Sequence, residues 1–280
     1  MKTGICLDES PKKIEYAATH LKEIGYDCAD LQMFIDPQSE YYGLSEKQLL
    51  AVRSALDGAG IEPYQAHGPW IYPPKNDTPQ DRATWLLYAE TAVRACAVLG
   101  CPYLVMHPVM PDGYLARQNA EEVEKINRKF FSRLLETAAR EQVTVALENM
   151  PFRAELLATP REILSFVRSF DFPWFKVCFD TGHSLVRQTE PADAVREIGA
   201  QWLAVLHVHD NNGVSDQHEH PFRGKIDWKA FSAALREIGY NGVLSLETGV
   251  IGQKDTMPQP VLDALERSLY TIARTLAGSE

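Results

Sequence analysis

Short apolar runs bounded by turn residues alternate along the chain with longer segments in which apolar residues recur at helical spacing. This alternation is typical of repeated strand–helix units. The predicted strands begin at Thr3, Cys28, Ile61, Tyr103, Thr144, Phe175, Trp202 and Gly242. The predicted helices span 11–24, 45–59, 82–99, 121–141, 160–169, 191–198 and 228–238.

The strand segments are apolar nearly throughout, so they belong in a sheet that is covered on both faces. Eight such strands, each followed by a helix, close into a barrel. The alternative is an open doubly wound sheet with a glycine-rich phosphate loop after the first strand, but the chain reads LDESPKK there. We therefore predict a single (β/α)8 TIM barrel domain over residues 1–280, somewhat longer than the about 250 residues typical of this fold.

Composition and charge narrow the class of protein. The chain has 45% hydrophobic residues and a formal net charge of −10, so the molecule as a whole repels polyanions. Its five cysteines form no CxxC pair, which predicts buried, reduced thiols. No segment resembles a signal peptide or reaches the about 20 apolar residues of a membrane span. We expect a cytoplasmic protein with no membrane association and no nucleic-acid partner. The sequence leaves open whether the protein forms a homo-oligomer.

Carboxylates and histidines collect where the predicted strands end. In a β/α barrel the carboxyl ends of the strands form one rim, and active sites are built there. Only His20 among the eight histidines lies elsewhere. The rim residues are His67, His107, Glu148, Asp180, His183, His207, His209, Asp216, His218, His220 and Glu247. Carboxylates and imidazoles suit Mn²⁺, Co²⁺, Zn²⁺ or Fe²⁺, and the lack of cysteine in this set favours a catalytic metal over a structural one.

The acidic rim residues also have simpler interpretations. Glu148 or Glu247 taken singly could be solvated or salt-bridged, but together they end two strands that face the same mouth. Asp180 could serve solely as a cap of the turn at Gly182, with no role in metal binding. We therefore take both glutamates as site residues.

The histidines divide in the same way. His207 and His209 alternate along one strand, so one of them should point into the mouth and the other away. We expect His209 to be the ligand, because it adjoins the exit of the strand, and His207 to be packed or hydrogen-bonded. Hydrogen bonding without a metal stays open for His67 and His107, and a loop-surface role stays open for His220.

The order and spacing of these segments resemble the xylose-isomerase-like barrel superfamily of sugar-phosphate isomerases and epimerases. That superfamily also includes the endonuclease IV type of apurinic endonuclease. The resemblance covers nearly the whole chain. It rests on ALEN at Glu148, FDTGH at Asp180, LHVHDNNG at His209, the SDQHEHPFRGKIDW loop and SLETG at Glu247.

The resemblance implies a set of metal ligands. In the isomerase and epimerase branch, one divalent metal is held at positions matching Glu148, Asp180, His209 and Glu247. Mn²⁺ is the expected ion, with Zn²⁺, Co²⁺ or Mg²⁺ as alternatives, and His183 matches a substrate-binding histidine. The endonuclease branch uses a longer set for three zinc ions. Further ligands of that kind here would be His67, His107, His183, Asp216 and His218.

The chain departs from the endonuclease pattern at two places. An Asn-Pro-Arg stretch and a GEG-type turn are expected there, and the chain has MFIDPQSEYYG and PFRG instead. The GKIDW segment is more like the sugar branch, and the rim lacks an obvious cluster of Lys or Arg to track a phosphate backbone.

We therefore expect a metal-dependent isomerase or epimerase that acts on a sugar, polyol or sugar phosphate through an enediolate. Glu148 and Glu247 would serve as acid and base. Arg223 would anchor a hydroxyl or phosphate, and Trp70 would either stack on the sugar or cover the barrel top. The alternatives are an endonuclease IV-like zinc phosphodiesterase, or another metal-assisted hydrolase or lyase.

Overall fold

The computed structural model describes residues 1–70, 77–111, 118–152, 156–248 and 257–278. The strands are β1 Lys2–Leu7, β2 Cys28–Leu31, β3 Glu62–His67, β4 Tyr103–Met106, β5 Thr144–Glu148, β6 Phe175–Asp180, β7 Leu203–His207 and β8 Val243–Leu246. The helices are α1 Ile14–Ile24, α2 Glu46–Ala59, α3 Pro79–Leu99, α4 Ala120–Glu141, α5 Pro160–Arg168, α6 Thr181–Val186, α7 Pro191–Ile198, α8 Trp228–Glu237 and α9 Gln259–Ala277.

The eight strands form one parallel sheet in the order β7-β6-β5-β4-β3-β2-β1-β8. Val208 pairs with Leu246 in an isolated parallel bridge, which brings β7 against β8 and closes the ring. Val208 N donates to Ser245 O at 2.9 Å, and Glu247 N donates to Val208 O at 3.1 Å. The predicted (β/α)8 TIM barrel is therefore confirmed, and the open-sheet alternative is wrong.

The helices begin where the sequence offers side-chain caps. Thr78 and Thr159 each precede a proline, and each forms a capping box with the residue three positions later, Asp81 and Glu162 respectively. Such a box satisfies backbone N–H groups that lack a partner in the first turn. The box at Thr78 explains why α3 begins at Pro79, earlier than the predicted start at residue 82. Helices α6 and α9 were not among the predicted segments.

Two strand pairs contain an irregularity that sets which side chains meet inside the barrel. Between β2 and β3 the register shifts after Ala29, so that Asp30 lies opposite Gln65. Between β6 and β7 it shifts after Val177, so that Asp180 lies opposite His207. A bulge inserts one extra residue into one strand and re-aims the side chains that follow it. The polar ends of four strands are aligned in this way.

The core lies between the strands and the helices. The rings of Phe131 and Phe175 stack with their centroids 5.2 Å apart, and both rings are fully buried. All five cysteines are free thiols, and four of them are buried, in agreement with the sequence. None of the helices in the described ranges combines the length and the apolar character that crossing a membrane requires.

One buried amide ties the loop after β4 to helix α4. Asn127 Oδ1 accepts from Val109 N at 2.8 Å, and Asn127 Nδ2 donates to Val109 O at 2.7 Å. Because Val109 lies two residues after His107, this pairing fixes the backbone that follows the histidine. Asn127 is fully buried, so no water can replace it as the partner.

We predict that Asn127→Ala lowers the free energy of unfolding by about 1–3 kcal/mol, because it leaves a buried N–H and a buried C=O without partners. Urea denaturation followed by circular dichroism measures this. The control is Arg133→Ala on the same helix, which removes only an exposed ion pair with Glu136 and should cost under about 1 kcal/mol. Equal stabilities of the two variants would contradict the assignment.

Candidate active site

The rim holds a cavity of about 300 Å³ at the carboxyl ends of the strands. This volume is at the lower end of the range of small-molecule sites, which is roughly 300–1,000 Å³. Its described lining residues are Ile35, His67, Trp70, His107, Glu148, Met150, Pro151, Phe152, His183, Asp216, His218 and Glu247. No lysine or arginine is found among these lining residues. The cavity therefore combines acids and imidazoles with one apolar wall.

Glu148 lies at the centre of the polar groups and is fully buried. Its Oε1 is 2.9 Å from His207 Nδ1, and its Oε2 is 3.0 Å from His107 Nε2 and 3.6 Å from His67 Nε2. Burial by itself opposes ionisation, but His207 and His107 outweigh it and hold the pKa of Glu148 well below its usual value. His183 Nδ1 also lies 3.6 Å from Oε1, so Glu148 is a carboxylate shared by four histidines.

Glu148 belongs to a first group of possible metal donors with Asp180, His207 and Glu247. Each offers one ligand atom, and these atoms all lie within 4.8 Å of one another. Glu247 Oε2 is 3.3 Å from His207 Nδ1, the same nitrogen that faces Glu148. Burial and the nearby Glu148 raise the pKa of Glu247 despite His207. The two glutamates therefore sit side by side in environments that shift their pKa values in opposite directions.

A second group of donors lies beside the first and consists of His183, His209, Asp216 and His218. Asp216 Oδ2 is 3.1 Å from His183 Nε2 and 3.3 Å from His218 Nε2. Burial lowers the pKa of His218, but Asp216 and Glu247 outweigh it and raise that pKa to about 9. The rings of His209 and His218 stack at 3.9 Å between centroids.

His67 and His107 border the cavity on its other side. Their Nε2 atoms are 3.1 Å apart, and a third donor group contains His67, Glu148 and His207. Burial lowers the pKa of His107 to about 4, so this imidazole is neutral at pH 7. The Trp70 ring packs edge-on against His107 at 4.3 Å between centroids. His107 is not a member of that donor group, and its imidazole contacts Glu148 instead.

The structure differs from the expectation that one of His207 and His209, at the end of β7, points into the mouth of the barrel and the other points away. Both rings are fully buried, and both contact acids of the site, so neither points away from it. His207 joins Glu148 and Glu247, whereas His209 Nε2 lies 3.0 Å from Asp180 Oδ2 and belongs to the second group. Strand β7 ends at His207, so the period of two no longer applies to the residues that follow.

Asp180 serves in two ways. Its Oδ1 accepts from His183 N at 2.6 Å and caps the short helix α6, as the simpler interpretation expected. Its Oδ2 accepts no hydrogen bond in the described part of the chain and faces His209. Gly182 is required next to it, because a Cβ at that position would lie 2.0 Å from the His209 ring.

Two residues of the 211–227 loop lie away from the cavity lining. Arg223 is exposed and pairs with Glu219 at 3.4 Å, so the structure does not bring it to the expected substrate position. His220 is partly buried and does not appear among the described lining residues. His20 pairs with Glu266 between α1 and α9, away from the rim, as the sequence predicted.

Sequence reasoning missed Asp210, which anchors the loop that carries Asp216 and His218. Asp210 is fully buried. It accepts four hydrogen bonds, from Asn211 N at 2.9 Å, Phe222 N at 3.1 Å, Ile226 N at 3.2 Å and Trp228 Nε1 at 2.8 Å. The backbone at Gly224 lies so close to Asp210 that a Cβ at position 224 would be 2.1 Å from Asp210 Oδ1, so glycine is required there. The sequence does not single out Asp210, because the HVHD segment places it next to two histidines that are themselves candidate site residues.

The family model of the xylose isomerase-like TIM barrel matches residues 18–268. The chain belongs to this family. The match confirms the resemblance that the rim motifs indicated. It extends over all eight strands except β1, whose pairing with β2 and β8 completes the barrel.

Relatives within this family differ in activity. A probable endonuclease 4 of Methanoculleus marisnigri is 30% identical over 203 residues, covering 66% of this chain and 70% of that protein. A D-psicose 3-epimerase of Enterocloster bolteae is 29% identical over 145 residues, covering 48% of this chain and 46% of the epimerase. The crystal structure of D-psicose 3-epimerase with D-tagatose from Clostridium cellulolyticum H10 has a TM-score of 0.81 at 19% identity, with 99% of both chains covered.

The last similarity shows the fold alone. For several curated relatives the alignment spans about half of the relative's length, namely 54%, 51% and 46%. The homologues thus include sugar epimerases and an endonuclease, and they support an enzyme without selecting one reaction.

We predict that Asp210→Asn lowers the free energy of unfolding by about 2 kcal/mol or more, because the amide NH₂ faces buried N–H donors in place of an acceptor. The matched control is Asp227→Asn, which changes an exposed helix cap that accepts only from Ala230 N. Asparagine caps about as well as aspartate, so its effect should stay within about 0.5 kcal/mol. Urea denaturation of both variants provides the measurement, and a D210N variant as stable as D227N would count against the anchor.

Proposed function

We propose that this chain is a divalent-metal-dependent isomerase or epimerase that acts on a sugar, polyol or sugar phosphate. The observation that carries the proposal is the first donor group, in which Glu148 and Glu247 approach one nitrogen of His207. The two carboxylates end β5 and follow β8, so they reach the group from different sides of the barrel. Two carboxylates held around one point are what a two-sided proton transfer requires.

The residues present fit a divalent ion. Glu148, Asp180 and Glu247 supply oxygen and His207 supplies nitrogen, with all four ligand atoms within 4.8 Å. Asp180 Oδ2 and Glu247 Oε2 are buried and accept no hydrogen bond among the described residues, which supports their role as ligands. A set of three carboxylates and one imidazole favours Mn²⁺, with Co²⁺, Zn²⁺ or Mg²⁺ as alternatives.

His207 replaces His209 in this ligand set. We infer this from the position of Nδ1 between Glu148 and Glu247. His209 instead faces Asp180 and Asp216 and would contribute only to the second group. The four ligands proposed are therefore Glu148, Asp180, His207 and Glu247.

The reaction removes a proton from a carbon next to a carbonyl, which an unaided carboxylate does not do at neutral pH. A bound divalent ion supplies Lewis-acid stabilisation of the negative charge that develops on the substrate oxygens. One of Glu148 and Glu247 removes the proton from the carbon as a carboxylate, and the other, which starts protonated, donates its own proton to the opposite face of the resulting enediolate. In an isomerisation the acid that took the proton returns it to the neighbouring carbon, and a hydroxyl proton moves to the former carbonyl oxygen.

The remaining walls suit a small hydroxylated molecule. Trp70, Met150 and Phe152 provide the apolar side on which a sugar ring can pack. His183 also lines the cavity, where its imidazole can orient a hydroxyl group. The described lining offers no Lys or Arg, so a neutral sugar fits it better than a phosphate that depends on protein cations. The 29% identical D-psicose 3-epimerase acts on such a compound.

A metal-dependent phosphodiesterase is the second candidate. The observation in its favour is that Glu148 is shared between two donor groups and that a third group lies beside them. Multi-metal sites of this type hydrolyse phosphate esters by activating water. The probable endonuclease 4, at 30% identity over 203 residues, also supports it. The net charge of −10 and the lack of Lys or Arg among the described lining residues weigh against a polyanionic substrate.

One experiment separates the two candidates. The Mn²⁺-loaded protein is incubated in D₂O with a panel of ketoses, aldoses and their phosphates, and separately, with Zn²⁺, on an abasic DNA duplex. We expect deuterium at the carbon next to a carbonyl, or a changed stereocentre or moved carbonyl, and no incision of the duplex. Efficient incision without any change in the sugars would reverse the order of the two candidates. Elemental analysis supports the first with about one Mn or Co per chain and the second with about three Zn.

We predict that Glu148→Gln and Glu247→Gln each lower turnover by at least about 100-fold, because each removes a metal ligand together with a proton carrier. The rate of product formation at saturating substrate measures this. Glu219→Gln serves as the control, because among the described residues the ion pair of the Glu219 side chain is with the exposed Arg223. Turnover retained within a few-fold in either active-site variant would remove that glutamate from the mechanism.

A further inference from the structure

We propose that Asp30 is a positioning residue that holds the ring of His207 so that Nδ1 faces the acids of the first donor group. The proposal rests on the proposed metal role of His207. Asp30 is not among the described residues that line the cavity, and it belongs to none of the three donor groups. Its carboxyl is nevertheless fully buried inside the barrel. Burying a carboxylate without compensation is costly, so its presence on β2 requires a physical reason.

The contact that supplies this reason is with the far side of the imidazole. Asp30 Oδ2 lies 3.1 Å from His207 Nε2. On the opposite edge of the ring, Nδ1 lies 2.9 Å from Glu148 Oε1 and 3.3 Å from Glu247 Oε2. The ring therefore stands between an acid on β2 and the acids of β5 and β8. Among the described residues, His207 is the only basic side chain that Asp30 contacts.

This placement selects one tautomer of a neutral imidazole. A neutral ring carries one N–H and one lone pair, and a metal requires the lone pair. Asp30 places its negative charge 3.1 Å from Nε2, which has no hydrogen-bond partner among the described residues, so it favours the proton on Nε2 and leaves the lone pair of Nδ1 free for an ion held with Glu148 and Glu247. A carboxylate on the outer nitrogen is the usual way in which proteins orient a ligating histidine.

Asp30 is itself held in place by Gln65. Gln65 Nε2 donates to Asp30 Oδ2 at 2.9 Å and lies 3.2 Å from Leu206 O, next to His207 in the chain. The register shift between β2 and β3 brings Asp30 and Gln65 opposite each other, beside Pro63, which has no N–H for the ladder. The bulge, the amide and the carboxylate thus form one buried connection from β3 through β2 to β7.

The first test measures metal affinity rather than turnover. Asp30→Asn keeps the shape of the side chain but removes its charge and offers an NH₂ group that can stabilise the other tautomer. We expect Mn²⁺ and Co²⁺, titrated against a chromogenic chelator, to bind roughly 10–100-fold more weakly than to the wild type. The control is Ser245→Ala on β8, which removes a buried hydroxyl without a partner in the described chain and should bind metal as the wild type does.

The second test reads the tautomer directly and needs no substitution. In Zn²⁺-loaded wild-type protein with ¹⁵N-labelled histidine, long-range ¹H–¹⁵N spectra should show the His207 proton on Nε2. A proton on Nδ1 overturns the proposal, as does Asp30→Asn protein that binds metal as tightly as the wild type. Should Asp30→Asn fail to fold by circular dichroism, Gln65→Met, which frees Asp30 without touching the His207 ring, must weaken binding, and unchanged affinity overturns the proposal.

These outcomes are distinct from failure of the proposed function. A wild type that binds no divalent metal overturns both proposals. A wild type that binds metal at the first group but shows no dependence on Asp30 overturns only the positioning role. A wild type that binds metal and depends on Asp30, yet changes no sugar, leaves the positioning role supported and removes the isomerase.

Discussion

The mutual compensation of buried charge around Glu148 is the constraint on which the rest of the structure depends. A carboxylate with no solvent contact is stable only when cations or donors surround it, and here His67, His107, His183 and His207 do so. Each of those histidines is in turn held by the barrel. The site therefore exists only when the carboxyl ends of several strands meet at the right height, which the closed sheet secures.

Two register shifts in the sheet align the side chains at the carboxyl ends of the strands. The shift after Val177 sets Asp180 opposite His207, and the shift after Ala29 sets Asp30 opposite Gln65. The loop after β7 is fixed by a different device, the four hydrogen bonds to Asp210. Regular strands determine the fold, and these local departures determine which nitrogen meets which oxygen.

The two candidate functions share one scaffold. Glu148 belongs to two donor groups, and the second group of His183, His209, Asp216 and His218 lies next to it. One carboxylate can hold an ion for proton transfer or bridge ions for hydrolysis. The described walls around the donors have an apolar side with Trp70 and hold no Lys or Arg, and this supports the proposed small neutral sugar.

The sequence by itself predicted the barrel and the residues at the carboxyl ends of its strands, because hydrophobic period and strand-end position are local properties of the chain. The family resemblance implied that Glu148, Asp180 and Glu247 belong to one group, and their ligand atoms lie within 4.8 Å of one another. Only the tertiary structure showed that His207 and His209 both contact acids of the site, that Arg223 lies outside the described cavity lining, and that Asp30, Gln65 and Asp210 are buried beside the site. Those outcomes depend on bulges, on where a strand stops and on contacts between residues far apart in the chain, and no local pattern encodes such distances.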